Sequence, residues 1–334
     1  MNNDARKMAS EWRLPAEWEP QSCVQLTWPH KDTDWAPMLE EITATYEEMA
    51  HAISCREDLL IVGGKGLDIP SDDTWARDHG FISLIDDRGH RRLVDFCFNG
   101  WGDKFPAEQD NAINRHLYEK GAIKGEYVDC LDFVLEGGSI ESDGRGTVFT
   151  TSQCLLAPHR NQPLTQQQIE QRLKDALCAS RIVWLDHGNL IGDDTDGHID
   201  TIVRLAPDDT LLYIRNVSPD DEQHDDFMAL EEQLRSLRTA DGQPYRLLAL
   251  PMPDAICDDD GSRLPATYAN FLVTNEKVLV PTYGQEENDR QAISTIASAF
   301  PGRKMVAIDS RPIIRQHGSI HCCTMQLPLG VVKD

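Results

Sequence analysis

The chain has 334 residues, with 56 acidic against 32 basic side chains and a formal charge of −24. This excess of carboxylate argues against a nucleic-acid partner, whose phosphates need a basic face, and suits a cationic ligand. No apolar run approaches the roughly 20 residues of a membrane span, and Met1-Asn2-Asn3-Asp4-Ala5-Arg6-Lys7 leads into no secretory apolar region.

Nine cysteines at irregular spacings, with no CxxC pair, fit a reducing cytoplasm better than a disulfide framework or a zinc ribbon. Hydrophobic residues make up 40% of the chain and no low-complexity linker divides it, so one domain spanning 1–334 is expected.

Five helical patterns follow in order. Pro37 to Cys55 places Met38, Leu39, Ile42, Tyr46, Met49 and Ile53 near helical spacing. Gln109 to Lys120 is ended by Gly121. Thr165 to Cys178 opens with a Thr165/Gln168 capping box. About Asp220 to Leu237 puts Phe227, Leu230, Leu234 and Leu237 on one face. Glu286 to Phe300 is stopped by Pro301-Gly302.

A strand pattern follows each helix: Leu59 to Val62, Tyr127-Val128 with Phe133 to Leu135, Arg181 to Leu185, Tyr245 to Leu250 and Lys304 to Ile308. Further strand-like runs are Phe81 to Ile85, Thr147 to Thr150, Thr201 to Leu205, Leu211 to Ile214, Phe271 to Thr274 and Val278 to Val280. Helix starts recur every roughly 55 to 70 residues, the size of one supersecondary unit, so the pattern reads as five repeats.

Short polar motifs come just after the post-helix strand in four of the five units: Trp75-Ala76-Arg77-Asp78, Glu136-Gly137-Gly138, Asp194 to Asp200, and His317 to Cys322. Units related by rotation would bring these loops together in a pocket of several carboxylates. Cys322 with His198 can make an activated thiol. His198 and Asp200 share a face if their segment is extended. Glycines after Glu136 allow a tight interior turn. Carboxylates gathered in a pocket are costly without a cation, and a planar guanidinium matches them bidentately. A metal is the other candidate, though no HxxEH or HxH spacing occurs. Each motif also has a plainer reading: a surface cluster for Trp75 to Asp78, an exposed turn for Glu136, a structural histidine for His198.

The chain resembles the agmatine deiminase and Porphyromonas-type peptidylarginine deiminase family of guanidino-modifying enzymes. Its motifs occur in order: Leu14-Pro15-Ala16-Glu17-Trp18-Glu19-Pro20, Leu26-Thr27-Trp28-Pro29-His30, Trp75 to Asp78, Phe98-Asn99-Gly100-Trp101-Gly102, Leu135 to Ile140, Thr195 to Asp200 and Ile320-His321-Cys322. The resemblance implies the pentein fold, a five-bladed pseudo-symmetric α/β-propeller of ββαβ units. It implies a hydrolase of C–N bonds in guanidines that needs no cofactor and no metal. Cys322 would be the nucleophile and His198 the general acid/base. Asp78 and Asp200 would hold the guanidinium, and Glu136 would assist. Asp194, Trp75 and Trp101 would line the channel to the substrate's far end. Where the family usually reads Gly-Gly-Gly-Asn before Ile-His-Cys, this chain has Gln316-His317-Gly318-Ser319.

Agmatine is the first substrate expectation, with arginine or peptidylarginine as the alternative. A metal-dependent amidohydrolase and a non-catalytic guanidine-binding protein stay open as other classes. The expected partner is a small cationic guanidino substrate, with no nucleic acid and no membrane; a homodimer stays open.

Overall fold

A computed structural model of the protein describes residues 12–53 and 59–332. Five small sheets share one plan. In each, an antiparallel pair is extended by a third strand parallel to the middle one, reached through a helix. The first pairs Thr324–Pro328 with Gln21–Thr27 and then Leu59–Val62. The others are Ile82–Asp86, Arg91–Cys97 and Glu126–Val134, with Trp12–Arg13 added antiparallel at the outer edge of Ile82–Asp86; Ile140–Ser142, Thr147–Thr151 and Arg181–Leu185; Val203–Ala206, Thr210–Arg215 and Arg246–Pro251; and Leu272–Val273, Lys277–Thr282 and Lys304–Asp309. A parallel neighbour requires a long crossover, and each helix supplies one.

The crossover helices are Leu39–Ile53, Asp110–Glu119, Gln166–Leu177, His224–Ser236 and Glu286–Ala299. Each follows its apolar stripe. The first buries Ile42, Tyr46, Met49 and Ile53, as the spacing predicts. Its expected end at Cys55 lies outside the described residues, as does the Met1 to Lys7 stretch. The capping box at Thr165 and Gln168 forms, and Cys178 closes that helix in the left-handed region at φ 55°. The fourth helix starts at His224, later than the expected Asp220.

The sequence reading has no strand at Gln21–Thr27, Arg91–Cys97, Ile140–Ser142 or Thr324–Pro328, and for the first the physical reason is plain. Gln21–Thr27 carries Gln25 and Thr27 fully buried, so no apolar alternation marks it. The strand expected from Thr201 begins at Val203, because Ile199–Thr201 forms a 3-10 turn. Among the described residues, no helix is long and apolar enough to cross a membrane.

Candidate active site

The post-helix loop of every unit reaches one buried cluster. The sequence marks four of them; the fourth unit contributes as well, through Asn270. Trp75 leads into the four-residue helix Ala76–His79, which places Asp78 inside. Glu136 precedes the 3-10 turn Gly137–Ser139. His198 precedes a second such turn, Ile199–Thr201, so the expected extended segment is not what brings His198 and Asp200 together. All these side chains are buried, which removes the surface-cluster and exposed-turn readings.

Gly138 shows how tightly the loops meet. A Cβ there would lie 2.5 Å from His198 Nδ1, 2.9 Å from Asp78 Oδ1 and 3.1 Å from Asp200 Oδ2. Only glycine leaves room for the three functional groups. Its own N–H donates to Asp78 Oδ1 at 3.0 Å. The other Asp78 oxygen accepts from Trp101 Nε1 at 3.0 Å. Trp101 holds that orientation from a left-handed backbone, φ 56°, between two glycines that are also left-handed. Burial pushes the Asp78 carboxyl up, with Asp200 and Glu136 adding to the shift against His198.

Asp200 is held differently. Its Oδ2 accepts from His321 Nδ1 at 2.7 Å, and the opposite ring nitrogen of His321 meets Glu17 Oε1 at 2.7 Å. Burial alone would raise Asp200, but the His321 hydrogen bond leaves it below the ordinary carboxylate range. Its Oδ1 has no partner.

Cys322 lies on a turn just before the strand Thr324–Pro328. Its N–H donates to Asn270 Oδ1 at 3.2 Å, and Sγ lies 3.4 Å from that oxygen and 3.8 Å from Asp200 Oδ2. Burial, then the charges of Asp200 and Asp78, push this thiol well above its usual value. The neighbouring Cys323 is turned toward Tyr46, and burial raises it to about 12.

His198 carries the opposite bias. Burial would lower it, but Asp78, Cys154 and Glu136 around the ring raise it well above the ordinary imidazole. The two shifts act in the same sense, toward a neutral thiol beside a charged imidazole. Neither ring nitrogen of His198 has a hydrogen-bond partner, and neither has Glu136 Oε2. Glu136 Oε1 accepts from Arg160 Nε at 2.7 Å; Arg160 also reaches Asp196 Oδ2 and the Thr195 carbonyl, each at 2.7 Å.

A cavity of about 160 Å³ leads to Cys322 and Asp78. Trp75, Trp101 and Phe105 form apolar walls, and Asp34, Asp73 and Asp194 supply carboxylates. Gly318 packs so closely on Trp75 that a Cβ would stand 2.1 Å from its ring. Asp194 and Asp73 are each raised to about 6, chiefly by burial. Every predicted site residue thus lies in the cluster or on this cavity. The sequence reading missed Asn270, Arg160 and Glu17. The position of Asn270, after the fourth unit's strand, was the available signal for it.

A profile of the family described as Porphyromonas-type peptidyl-arginine deiminase matches residues 13–328. An agmatine deiminase of Pseudomonas aeruginosa is 32% identical over 369 residues, covering 98% of each chain. A Porphyromonas gingivalis structure, provisionally named an arginine deiminase, is 46% identical at TM-score 0.91, covering 96% of this chain and 100% of that one. A C. jejuni agmatine deiminase, solved as a cysteine-to-serine variant with substrate bound, is 34% identical at TM-score 0.88, covering 96% and 97%. With five loops meeting at one thiol and similarity along nearly its whole length, the chain belongs to the Porphyromonas-type peptidyl-arginine deiminase family.

Proposed function

We propose that the chain is a single-domain, cytoplasmic thiol hydrolase that removes ammonia from a guanidino group, with agmatine as its preferred substrate and N-carbamoylputrescine as product. One observation carries the reading. Asp200 Oδ1 and Glu136 Oε2 are buried without hydrogen-bond partners around Cys322. A planar cation with several N–H donors is what such a group of acceptors lacks.

The guanidinium is held by Asp78 and Asp200. Its charge offsets theirs and lowers the thiol, whose proton passes to solvent. The Cys322 thiolate attacks the guanidinium carbon and forms a neutral tetrahedral adduct. His198, already protonated, gives its proton to the departing nitrogen. Ammonia leaves, and a cationic thiouronium remains on Cys322. A water molecule, deprotonated by His198, adds to the same carbon as hydroxide; on collapse the C–S bond breaks, the departing Cys322 sulfur takes up the hydroxyl proton and returns as the thiol, and the neutral urea is released with His198 protonated again. Glu136, fixed by Arg160, supports the charge on His198. Asn270 aligns the thiol.

The cavity favours a substrate with a cationic tail. Asp34, Asp73 and Asp194 line it, and no lysine or arginine does among the described residues. A terminal ammonium finds carboxylates there; an α-carboxylate finds none of its usual partners. The provisional name of the P. gingivalis structure keeps arginine as the second reading. The test is ammonia release from agmatine, arginine and a blocked arginine peptide at equal concentrations. An unpaired carboxylate costs about 3 kcal/mol, so agmatine should lead arginine in kcat/KM by roughly a hundredfold. Arginine equal to agmatine rejects the specificity; no ammonia from any of the three rejects the hydrolase.

A further inference from the structure

Cys154 is a buried thiol that the proposed chemistry leaves idle. It sits in the short helix Ser152–Leu155, where its N–H donates to the capping Thr151 Oγ1 at 3.2 Å. One ligand atom each from Cys154, Glu136 and His198 lie within 4.8 Å of one another. All three residues are completely buried. Independently, Glu136 Oε2 and both ring nitrogens of His198 have no hydrogen-bond partner.

Thiolate sulfur, imidazole nitrogen and carboxylate oxygen form a ligand set for a borderline-soft divalent cation, Zn²⁺ above all. Bonds of about 2.0–2.3 Å in a tetrahedral site put ligand atoms roughly 3.3–3.8 Å apart, so small inward shifts bring the three to a common ion. The charge also suits a dication. Asp78, Glu136 and Asp200 outnumber Arg160 at the cluster once His198 is neutral.

We propose that Glu136, Cys154 and His198 form an inhibitory site for a thiophilic divalent cation, with Zn²⁺ the best match. Binding breaks no carbon bond and moves no electrons between groups. The Cys154 thiol and the His198 imidazolium each release one proton to solvent, and the freed lone pairs bind the metal, so binding tightens as pH rises. The metal occupies the lone pair that His198 needs to move protons and the Glu136 oxygen beside it. It also neutralises the pocket that draws the guanidinium, so metal and substrate exclude each other. The inhibition rests on the deiminase reading, whereas binding of the metal does not.

The test uses enzyme stripped with EDTA and then given Zn²⁺ or Co²⁺ alone. EDTA-treated enzyme should be fully active. Buffered Zn²⁺ should raise KM at least about tenfold with kcat unchanged, and EDTA should reverse it. Cys154→Ser should raise the half-inhibiting concentration by about tenfold or more, as expected for loss of a ligand. Independently of turnover, Co²⁺ should give a near-ultraviolet thiolate-to-metal band in the unmodified protein and in Cys322→Ser, lost in Cys154→Ser and displaced by agmatine. Should Cys154→Ser fail to fold, Cys154→Ala and the displacement by agmatine still decide. No band, a band that agmatine leaves in place, or a band lost in Cys322→Ser but kept in Cys154→Ser overturns the proposal.

Discussion

Two buried clusters of charge lie back to back across Asp200 and His321, and they are built on opposite terms. On the side away from Cys322, Glu17, with 18% of its side chain exposed, is saturated. It takes hydrogen bonds from His321 at 2.7 Å, Arg77 at 3.2 Å and Gln326 at 3.1 Å, and it pairs with Arg204, which also binds Glu141. On the cavity side, Asp78 has only two neutral donors and a histidine at 3.7 Å, and Asp200, Glu136 and His198 keep atoms without partners. Burial alone would raise Glu17, yet His321, Arg204 and Arg77 hold it well below the carboxylate range. Asp78, more deeply buried and without a cation in hydrogen-bond reach, is raised. Glu141, at the edge of the saturated cluster, is still pushed up by burial. The difference teaches where function sits: the fold satisfies the charges it uses for itself and leaves open those meant for a ligand.

The strongest way to break this comparison is at the thiol. Cys322→Ala should abolish ammonia release, while Cys323→Ala, turned toward Tyr46, should retain most of it. Full turnover by Cys322→Ala sinks the nucleophile assignment.

Next come the carboxylates. Asp78→Asn and Asp200→Asn should each cost about 3–5 kcal/mol in kcat/KM, because a buried charged contact with the guanidinium is lost. Asp78→Asn should leave thermal stability unchanged or raised, since it removes a carboxylate that burial disfavours. Glu17→Gln should instead lower stability by about 3 kcal/mol or more, as it leaves Arg204 and His321 without their anion. The pH dependence differs in sign. Glu17, lowered in the fold, contributes stability present above its ordinary pKa and lost as pH falls. Asp78, raised, contributes stability present at low pH and lost as pH rises through its raised value. Melting curves from acid to neutral pH check both; a Glu17→Gln curve that parallels the unmodified protein denies Glu17 its role.

The smallest effect is at the cavity. Asp73 and Asp194 stand at about 6, so they ionise only above that pH. KM for agmatine should fall as pH rises through 6, by roughly tenfold for about 1–2 kcal/mol of charge-assisted contact. A guanidine with an uncharged tail should show a flatter profile. Equal profiles for the two compounds place the ammonium elsewhere.

Much of this was legible in the sequence, for separable reasons. The five units follow from apolar stripes at helical spacing and the strand after each one, because a crossover helix must bury one face. The strand Gln21–Thr27 was not legible, since its buried Gln25 and Thr27 break the pattern. Asp78, Glu136, His198, Asp200 and Cys322 sit in motifs with glycines or aromatic neighbours. Asn270, in Tyr268-Ala269-Asn270-Phe271, reads as the edge of a strand, and Arg160, in Pro158-His159-Arg160-Asn161, as a loop cation. Glu17 lay in a motif with no visible task, because its partners His321, Arg204 and Arg77 come from distant parts of the chain. A buried carboxylate demands a cation, but sequence does not say which arginine will arrive.

The pairing of Thr324–Pro328 with Gln21–Thr27 bears on how the enzyme comes into being. These strands lie almost the whole chain apart, so their union carries the largest loop-closure cost of any sheet in the molecule. Cys322 stands two residues before the closing strand begins at Thr324. A ribosome has therefore made all the carboxylates, His198 and Asn270 before it adds the nucleophile. A chain still being synthesised can gather the groups that would hold a cation, yet it has nothing with which to attack one. Reactivity arrives with the last unit, at the step that joins the two ends of the chain into one sheet.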